Sequence, residues 1–387
     1  MRLCVVYDCL YPYTVGGAER WLRQLAERLA EQGHEVTYLT LRQWEQAPTL
    51  PGVEIVTCGP RMPLYLPAGR RRIWPPLRFG AGVLWHLLRH GRDYDVVHIS
   101  AFPYFSLLAA VAARRRGRYE LVVEWVEVWS AAYWREYLGA IAGWLGRAIQ
   151  VRCARLRARA LCYSRLHAER LIAEGYRGEP LVLPGLYVGP LQPEAPVAAE
   201  PLVFFAGRLI PEKRALAVIP AVALAAEQVA GLRATIFGDG PQHAAVLDAI
   251  ARLDDGPEIA APGFIERGEL HATLRHSLCM LLPSRREGYG MIVVEAAACG
   301  VPSIVVADTD NAAVELIEEG VNGLVCRSAT PEALAAAIVR VHEAGEAMRA
   351  STRGWFARNA ERISADASLA RVLEVYRELG VDSSARR

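Results

Sequence analysis

The chain has 387 residues, 52% of them hydrophobic and 22% charged, a balance that excludes an intrinsically disordered protein and predicts about two domains. No apolar stretch approaches the length of a membrane-spanning helix. The formal net charge of +2 conceals an imbalance, because residues 1–184 hold 25 arginines against 16 acidic residues while the remainder is net acidic. Such a basic half indicates contact with an anionic partner.

Strand-like and helix-like segments alternate through the first half of the chain. Residues 3–7 predict a buried strand, Gly16 and Gly17 predict a loop, and residues 18–31 predict an amphipathic helix. Further strands are predicted at residues 36–41, 53–57, 96–99 and 121–123. Alternation with nearly continuous apolar strands is typical of a parallel sheet that is covered by helices on both faces.

A proline-rich stretch without hydrophobic periodicity predicts a linker over residues 184–201. A second alternation follows it. Strands are predicted at residues 202–206, 233–237, 279–282 and 303–306, and helices at residues 215–229, 243–252, 291–299 and 331–341. We therefore predict two doubly wound α/β domains, residues 1–184 and 185–364. In such sheets ligands bind beyond the carboxyl ends of the strands.

The most informative segment runs from Pro283 to Pro302, where a strand, a glycine-containing loop and a helix follow one another. Backbone N–H groups at the start of a helix form an anion site together with the helix dipole, and glycines let the backbone approach a ligand closely. Glu287 lies in the loop and Glu295 lies in the helix. Two carboxylates in this arrangement suit hydrogen bonds to the hydroxyls of a sugar and a ribose.

This segment reads P-S-x-x-E-G-Y-G-x-x-x-x-E-A-x-A-x-G-x-P and resembles family 4 of the retaining nucleotide-sugar glycosyltransferases, with Glu287 and Glu295 in the E-x7-E motif. The resemblance implies the GT-B fold, in which two doubly wound, Rossmann-like domains face each other across a deep cleft. It also implies that a C-terminal helix, within residues 365–387, packs on the first domain. The implied donor contacts in this loop are Gly288, Tyr289, Gly290 and Met291.

A second segment, residues 205–214, resembles the family's G-R-L-x-x-x-K-G pattern, whose arginine and lysine hold the donor diphosphate. The matching residues are Gly207, Arg208 and Lys213. Lys213 is the one lysine among 44 basic residues, so the chain's preference for arginine makes this position informative. Arg214 stands where the family frequently has glycine.

Three less specific loops agree with the family pattern in order and spacing. Residues 237–241 and 262–265 imply that Gly240 and Ile265 line a nucleobase pocket. Gly16 and Gly17, directly after the first strand, imply contact with the diphosphate or the transferred sugar from across the cleft. Ordinary tight turns are the alternative interpretation of these glycine loops.

The acceptor side is less defined. Family members often carry a histidine after the fifth strand, and the matching position here is Val126. We hypothesise that His98, Glu124 and Glu127 orient the acceptor. The alternatives are that the two glutamates pair with nearby arginines and that His98 is structural.

The implied reaction moves a sugar from a nucleoside-diphosphate sugar to a hydroxyl acceptor with retention of anomeric configuration. UDP-sugars are favoured as donors and GDP-mannose is the alternative. In the front-face mechanism favoured for this family no protein nucleophile is required, so the catalytic contribution falls to Glu287, Arg208 and Lys213. We expect neither a cofactor nor a metal, and we interpret the D-x-D match at residues 308–310 as a loop.

The expected acceptor is a glycolipid, a lipid-linked glycan or another cell-envelope or small-molecule glycoside. Arginine and tryptophan cluster within residues 70–92 and 134–159, which predicts either peripheral contact with an anionic membrane or a solvated face, and no nucleic-acid motif accompanies them. Eight cysteines without a CxxC pair, and no signal peptide, predict a cytoplasmic protein, peripheral at the inner face of the membrane.

The alternative functions are a sugar-nucleotide-binding protein without turnover and a GT-B sugar-nucleotide epimerase.

Overall fold

The computed structural model describes residues 1–66, 71–253 and 256–380. The chain forms two compact units. Unit 1 contains the chain up to Leu186 and resumes at Ala365, and unit 2 contains Tyr187–Ser364. Arg70 of the predicted basic cluster and residues 381–387 of the predicted C-terminal segment lie outside the described residues. None of the described helices is long and apolar enough to cross a membrane.

Unit 1 is built on a sheet of seven parallel strands. In chain order these are β1 (Arg2–Val6), β2 (Glu35–Thr40), β3 (Val53–Thr57), β4 (Val96–Ser100), β5 (Glu120–Trp125), β6 (Arg159–Cys162) and β7 (Leu181–Val182). Their spatial order is β3-β2-β1-β4-β5-β6-β7. The succession reverses between β1 and β4, and ligands bind doubly wound sheets at such a switch point.

Helices alternate with these strands in the described part of unit 1. They are α1 (Gly17–Glu31), α2 (Trp74–His90), α3 (Tyr104–Gly117), α4 (Ala131–Leu138), α5 (Ala140–Ala154) and α6 (Arg165–Ala173). The first helix buries Trp21, Leu22, Leu25 and Leu29, the apolar positions whose spacing predicts it.

Unit 2 repeats the arrangement with six parallel strands and one short strand pair. The strands are β8 (Glu200–Ala206), β9 (Arg233–Phe237), β10 (Ile259–Gly263), β11 (Ser277–Leu282), β12 (Arg286–Glu287), β13 (Ser303–Val306), β14 (Asp310–Asn311) and β15 (Gly323–Cys326). The sheet order is β10-β9-β8-β11-β13-β15, and β12 pairs with β14. The switch point of this sheet therefore lies between β8 and β11.

The helices of unit 2 are α7 (Val218–Ala226), α8 (His243–Ala251), α9 (Arg267–His276), α10 (Met291–Ala298) and α11 (Pro331–Asn359). The predicted helix 215–229 starts as a 3₁₀ turn, Ala215–Ala217, before α7. The helix predicted at 331–341 continues to Asn359, with a break at Gly345, whose φ of 53° and ψ of −135° are not helical.

The last helix, α12 (Ala365–Glu378), belongs to unit 1. The Ser368 hydroxyl lies 3.2 Å from the Gly185 amide, whose hydrogen bond it accepts, and Tyr376 is fully buried. Unit 1 is therefore completed by residues that follow unit 2 in the chain.

Candidate functional site

The two loops at the switch point of unit 2 bring Lys213 and Glu287 together. Lys213 follows β8 and Glu287 follows β11, the two strands between which the sheet order reverses. The Nζ atom of Lys213 lies 2.5 Å from Oε1 of Glu287, with the side chains only 18% and 10% exposed. Glu287 of the most specific sequence motif and Lys213, the lone lysine, thus form one ion pair with limited access to solvent.

Backbone contacts hold these two loops against each other. The amide of Arg285 donates to the carbonyl of Glu212 over 2.8 Å. The short strand β12 aligns Glu287 with Asn311 of β14. The Asn311 side-chain amide donates to the carbonyls of Ser284 and Val306. Asn311, which sequence reasoning missed, therefore fixes the position of the loop that carries Glu287.

Two glycines allow the close packing at this edge of the sheet. Gly238 has φ of 130°, and an added Cβ there would overlap the carbonyl oxygen of Gly207. Gly290 has φ of 102°, and its Cβ would lie 2.7 Å from that of Ala313. Both conformations are in the region that glycine adopts without strain.

The remaining predicted donor residues of unit 2 lie on the same set of loops. Gly207 and the exposed Arg208 follow β8, Gly240 follows β9, and the half-buried Ile265 follows β10. Gly288 and Tyr289 are buried, Gly290 caps α10, Met291 is its first residue and the half-buried Glu295 lies within it. The structure thus brings the donor-side candidates of unit 2 to one edge of one sheet.

Arg214 adopts the left-handed conformation, with φ of 50°. A residue with a side chain pays a conformational cost there that the family's usual glycine does not. The Arg214 guanidinium donates to Oδ2 of Asp308 over 3.0 Å, and both side chains are partly buried. The first carboxylate of the D-x-D match is therefore engaged by an arginine, and Asp310 is buried within β14.

One grouping of three potential metal ligands occurs among the described residues: Glu194, His271 and Cys299. Glu194 already pairs with His271 Nε2 over 2.5 Å and lies 3.7 Å from Arg275 Nε. Burial, and after it the Glu194 carboxylate, raises the pKa of Cys299 to about 12. These contacts describe an ion-pair cluster with a neutral thiol. Asp308 and Asp310 are not part of it.

His98 and Glu124, which we hypothesise to orient the acceptor, lie in the interior of unit 1. Both are fully buried. His98 Nε2 donates to Glu124 Oε1 over 2.7 Å, and His98 Nδ1 lies 2.6 Å from the Tyr376 hydroxyl. Glu124 also accepts hydrogen bonds from Trp21 and Tyr163. These contacts occupy both nitrogens of His98 and both oxygens of Glu124.

The switch point of unit 1 carries a different set of side chains. Asp8 follows β1, is fully buried and forms an ion pair with Arg71. The Arg71 guanidinium lies 5.0 Å from the ring centre of Phe102, which follows β4. Glu127 is half-buried after β5 and accepts a hydrogen bond from Trp129 Nε1 over 3.0 Å. Sequence reasoning missed Asp8, although its place after the first strand was a usable signal.

Gly16 and Gly17 lie in unit 1 at the start of α1. Gly16 caps the helix in an extended conformation, and a Cβ at this position would collide with the Glu19 carboxylate. A side chain at position 16 would therefore require the Glu19 carboxylate to move.

Two family models match the chain. The model described as "Glycosyl transferase 4-like domain" matches residues 16–185, and "Glycosyl transferases group 1" matches residues 192–354. D-inositol 3-phosphate glycosyltransferase of Kineococcus radiotolerans is 27% identical over an alignment that covers 96% of this chain and 92% of that protein. 2-Deoxystreptamine N-acetyl-D-glucosaminyltransferase of Niallia circulans is 32% identical over 102 residues, and the chain spans only 26% of that relative's length.

Among solved structures, HepE of Anabaena in complex with UDP superposes with a TM-score of 0.76 at 19% identity, covering 98% of this chain and 100% of that chain. At 19% sequence identity, this structural similarity shows a shared fold. The prediction of two doubly wound parallel-sheet domains is confirmed.

Proposed function

Because the chain belongs to the family 4 glycosyltransferases of GT-B fold, we propose that it transfers a sugar from a nucleoside-diphosphate sugar to a hydroxyl acceptor with retention of anomeric configuration. The two family models confirm the resemblance predicted from the sequence. The observation that carries the proposal is the contact between Lys213 and Glu287 at the switch point of unit 2. It joins the family's two donor motifs in a single site.

The donor diphosphate would lie between the two switch-point loops. Lys213 supplies a compact ammonium and the exposed Arg208 a forked guanidinium, while the start of α10 contributes backbone N–H groups. Glu287 would accept hydrogen bonds from the transferred sugar, and Glu295 from the ribose. In this proposal the lysine that would bind the diphosphate lies directly beside the carboxylate that would bind the sugar, in agreement with the contact between Lys213 and Glu287.

The chemistry then depends on positioning and electrostatics. The acceptor oxygen attacks the anomeric carbon on the face from which the diphosphate departs, and the departing phosphate oxygen takes the acceptor proton. Lys213 and Arg208 stabilise the charge that develops on this leaving group. They provide this charge without a metal, and the engagement of Asp308 by Arg214 supports metal independence.

We favour a UDP-sugar as donor and keep GDP-mannose as the alternative. The UDP complex of the fold relative from Anabaena supports this choice. Melting temperatures measured with UDP, GDP, ADP and their sugars test it, because a ligand that binds the folded state raises the transition in proportion to its affinity. NMR analysis of the product's anomeric centre tests retention. An inverted product would refute the mechanism, and failure of every nucleotide to bind would refute the donor site.

The acceptor would meet the carboxyl edge of the unit 1 sheet. With His98, Glu124 and Asp8 buried, the residues there that would contact an acceptor are Glu127, Trp129 and Arg71. The names of the two relatives, which act on an inositol phosphate and on a deoxystreptamine, support a polyhydroxylated acceptor. A glycolipid or lipid-linked glycan would be met at an anionic membrane surface, for which the arginine excess of residues 1–184 is suited.

One alternative follows from the half-buried Val126 at the family's histidine position, which is compatible with a donor-binding protein that lacks turnover. Any transfer product, or slow donor hydrolysis, excludes that alternative. A sugar-nucleotide epimerase would instead convert the donor without an acceptor, and product analysis separates the two.

A further inference from the structure

The outer face of α2 exposes an unusual amount of apolar surface. Trp74 is 69% exposed and Trp85 is 60% exposed, and Ile73, just before the helix, is 63% exposed. Leu77 and Leu88 continue the same side of the helix at helical spacing. Exposed apolar patches of this kind mark surfaces that meet a partner.

Basic side chains accompany this apolar stripe. Arg78 and Arg89 are exposed on α2, and the helix sequence contains no acidic residue. The Arg89 guanidinium lies 3.6 Å from the ring centre of Trp85, a cation–π contact that orients both groups. Among the described residues, neither Arg78 nor Arg89 has an acidic side chain within ion-pair distance.

A cleft of about 570 Å³ lies between α2 and the end of β3. Its lining includes the Thr57–Gly59 segment on one side and Arg78, Trp85 and Arg89 on the other. Gly82 allows α2 to approach this segment, because a Cβ there would overlap the Cys58 carbonyl oxygen. The cleft is therefore a built feature of the fold, with two guanidinium groups at its wall.

The acidic groups nearest to this face leave it positively charged. His90 at the end of α2 lies 3.4 Å from Asp93, and Glu54 is exposed on β3. Arg72 and Arg92 extend the basic stripe at its two ends. Guanidinium groups beside exposed tryptophan rings match a phospholipid surface, where phosphates lie next to acyl chains.

A second exposed apolar patch provides a comparison. On α5, Ile141 is 80% and Trp144 is 67% exposed. The basic residue beside them, Arg147, lies 3.3 Å from Glu174 and is thus partly neutralised. The next basic residue of α5, Arg152, is exposed, so this patch differs from the α2 face in that one of its two guanidinium groups is paired with a carboxylate.

We propose that the outer face of α2, formed by Trp74, Leu77, Arg78, Trp85, Leu88 and Arg89, docks unit 1 on an anionic phospholipid membrane, with a lipid phosphate in the cleft beside Thr57–Gly59. The glycosyltransferase function supplies the purpose of this docking, which is access to a membrane-borne acceptor. The docking itself is measured without turnover, so it is tested independently of that function.

Co-sedimentation of the full chain with phosphatidylcholine vesicles, with and without phosphatidylglycerol, tests the proposal. We expect binding to the anionic vesicles that weakens as salt is raised. The double variant Arg78→Gln/Arg89→Gln should bind roughly 30-fold more weakly, since each basic residue near such a surface contributes about a fivefold factor in affinity. Trp74→Ser/Trp85→Ser should also lose most binding.

The matched control is Ile141→Ser/Trp144→Ser on α5, which should bind as the wild type does. Melting curves of the same preparations report their folding, because UDP binding to the donor loops of unit 2 does not report the state of unit 1, where these residues lie. The proposal would be overturned if the α5 variant lost as much vesicle binding as the α2 variants. It would also be overturned if the wild-type protein bound both vesicle types equally or bound neither. A melting-temperature shift with inorganic phosphate in the absence of vesicle binding would assign the cleft to a free anion and would also overturn it. Failure of the wild-type protein to bind UDP would instead count against the proposed donor site alone.

Discussion

Replacing Lys213 by arginine keeps the positive charge and changes only its shape. In the structure a compact ammonium lies 2.5 Å from Glu287 Oε1, in a site where the two side chains are 18% and 10% exposed. Arg208 already supplies a planar guanidinium at the same loop. A lost charge-assisted hydrogen bond to the leaving diphosphate costs about 1.5–3 kcal/mol. We therefore expect turnover of Lys213→Arg to fall roughly 10- to 150-fold.

Lys213→Ala should lower both turnover and stability. Removing the ammonium leaves the Glu287 carboxylate, 10% exposed, without this partner. An unsatisfied buried group costs about 1–3 kcal/mol, and each kcal/mol shifts the melting temperature of a domain of this size by about 2–4 °C. The sequence alone suggests that a cleft lysine packs little and that stability barely changes. Because the structure shows an ion pair between Lys213 and Glu287, we expect stability to fall instead.

A double variant separates the two effects. Lys213→Ala/Glu287→Gln removes the uncompensated charge, so it should recover most of the melting temperature without recovering turnover. Arg233→Lys, an exchange at a partly exposed arginine of unit 2 that pairs with Glu200, is the control for the arginine–lysine exchange itself. Initial rates and melting curves of all four variants give the result. Wild-type turnover in Lys213→Arg would refute the argument for a compact cation at the diphosphate.

Three further outcomes are expected. Glu287→Ala should abolish transfer while UDP affinity, measured by calorimetry, stays within a few-fold, whereas Glu295→Ala should weaken UDP binding; the opposite pattern would reverse the two roles. Activity should survive excess EDTA, since protein cations neutralise the diphosphate, and loss that Mn²⁺ restores would contradict this. Gly238→Ala should lower the melting temperature strongly, because its Cβ overlaps the Gly207 carbonyl at a φ of 130°, while Gly268→Ala in α9, with no atom within 4 Å of the added Cβ, should not lower it.

The donor side of the site was predictable because its determinants are local in sequence. Each donor loop directly follows a strand whose apolar run can be recognised, and parallel strands bring such loops to one edge. The helix 291–299 was placed within one residue of α10 for the same reason. The helix 331–341 was predicted too short, because the continuation to Asn359 beyond Gly345 depends on packing that the local pattern does not contain.

The acceptor side was not predictable from local pattern. His98 lies at the centre of β4, and one of its hydrogen-bond partners is Tyr376, 278 residues later in the chain. Burial of Asp8 likewise depends on Arg71, 63 residues away in an irregular segment. Contacts of this separation are set by the tertiary fold, so a residue-type argument for His98 and Glu124 could identify their polarity and not their surroundings.

The insertion of unit 2 between two segments of unit 1 imposes an order on synthesis. A ribosome delivers β1 to β7 first, then the whole of residues 187–364, and only then the helix that carries Tyr376. Until that helix arrives, His98 lacks its 2.6 Å hydrogen-bond partner. The surface of unit 1 that packs against Val372 and Val375 of α12 also stays exposed. The last strand of unit 2, β15, is complete at Cys326, before the synthesis of α12 begins at Ala365. The nascent chain therefore acquires a complete unit 2 before a complete unit 1, and the N-terminal sheet depends longest on protection from aggregation.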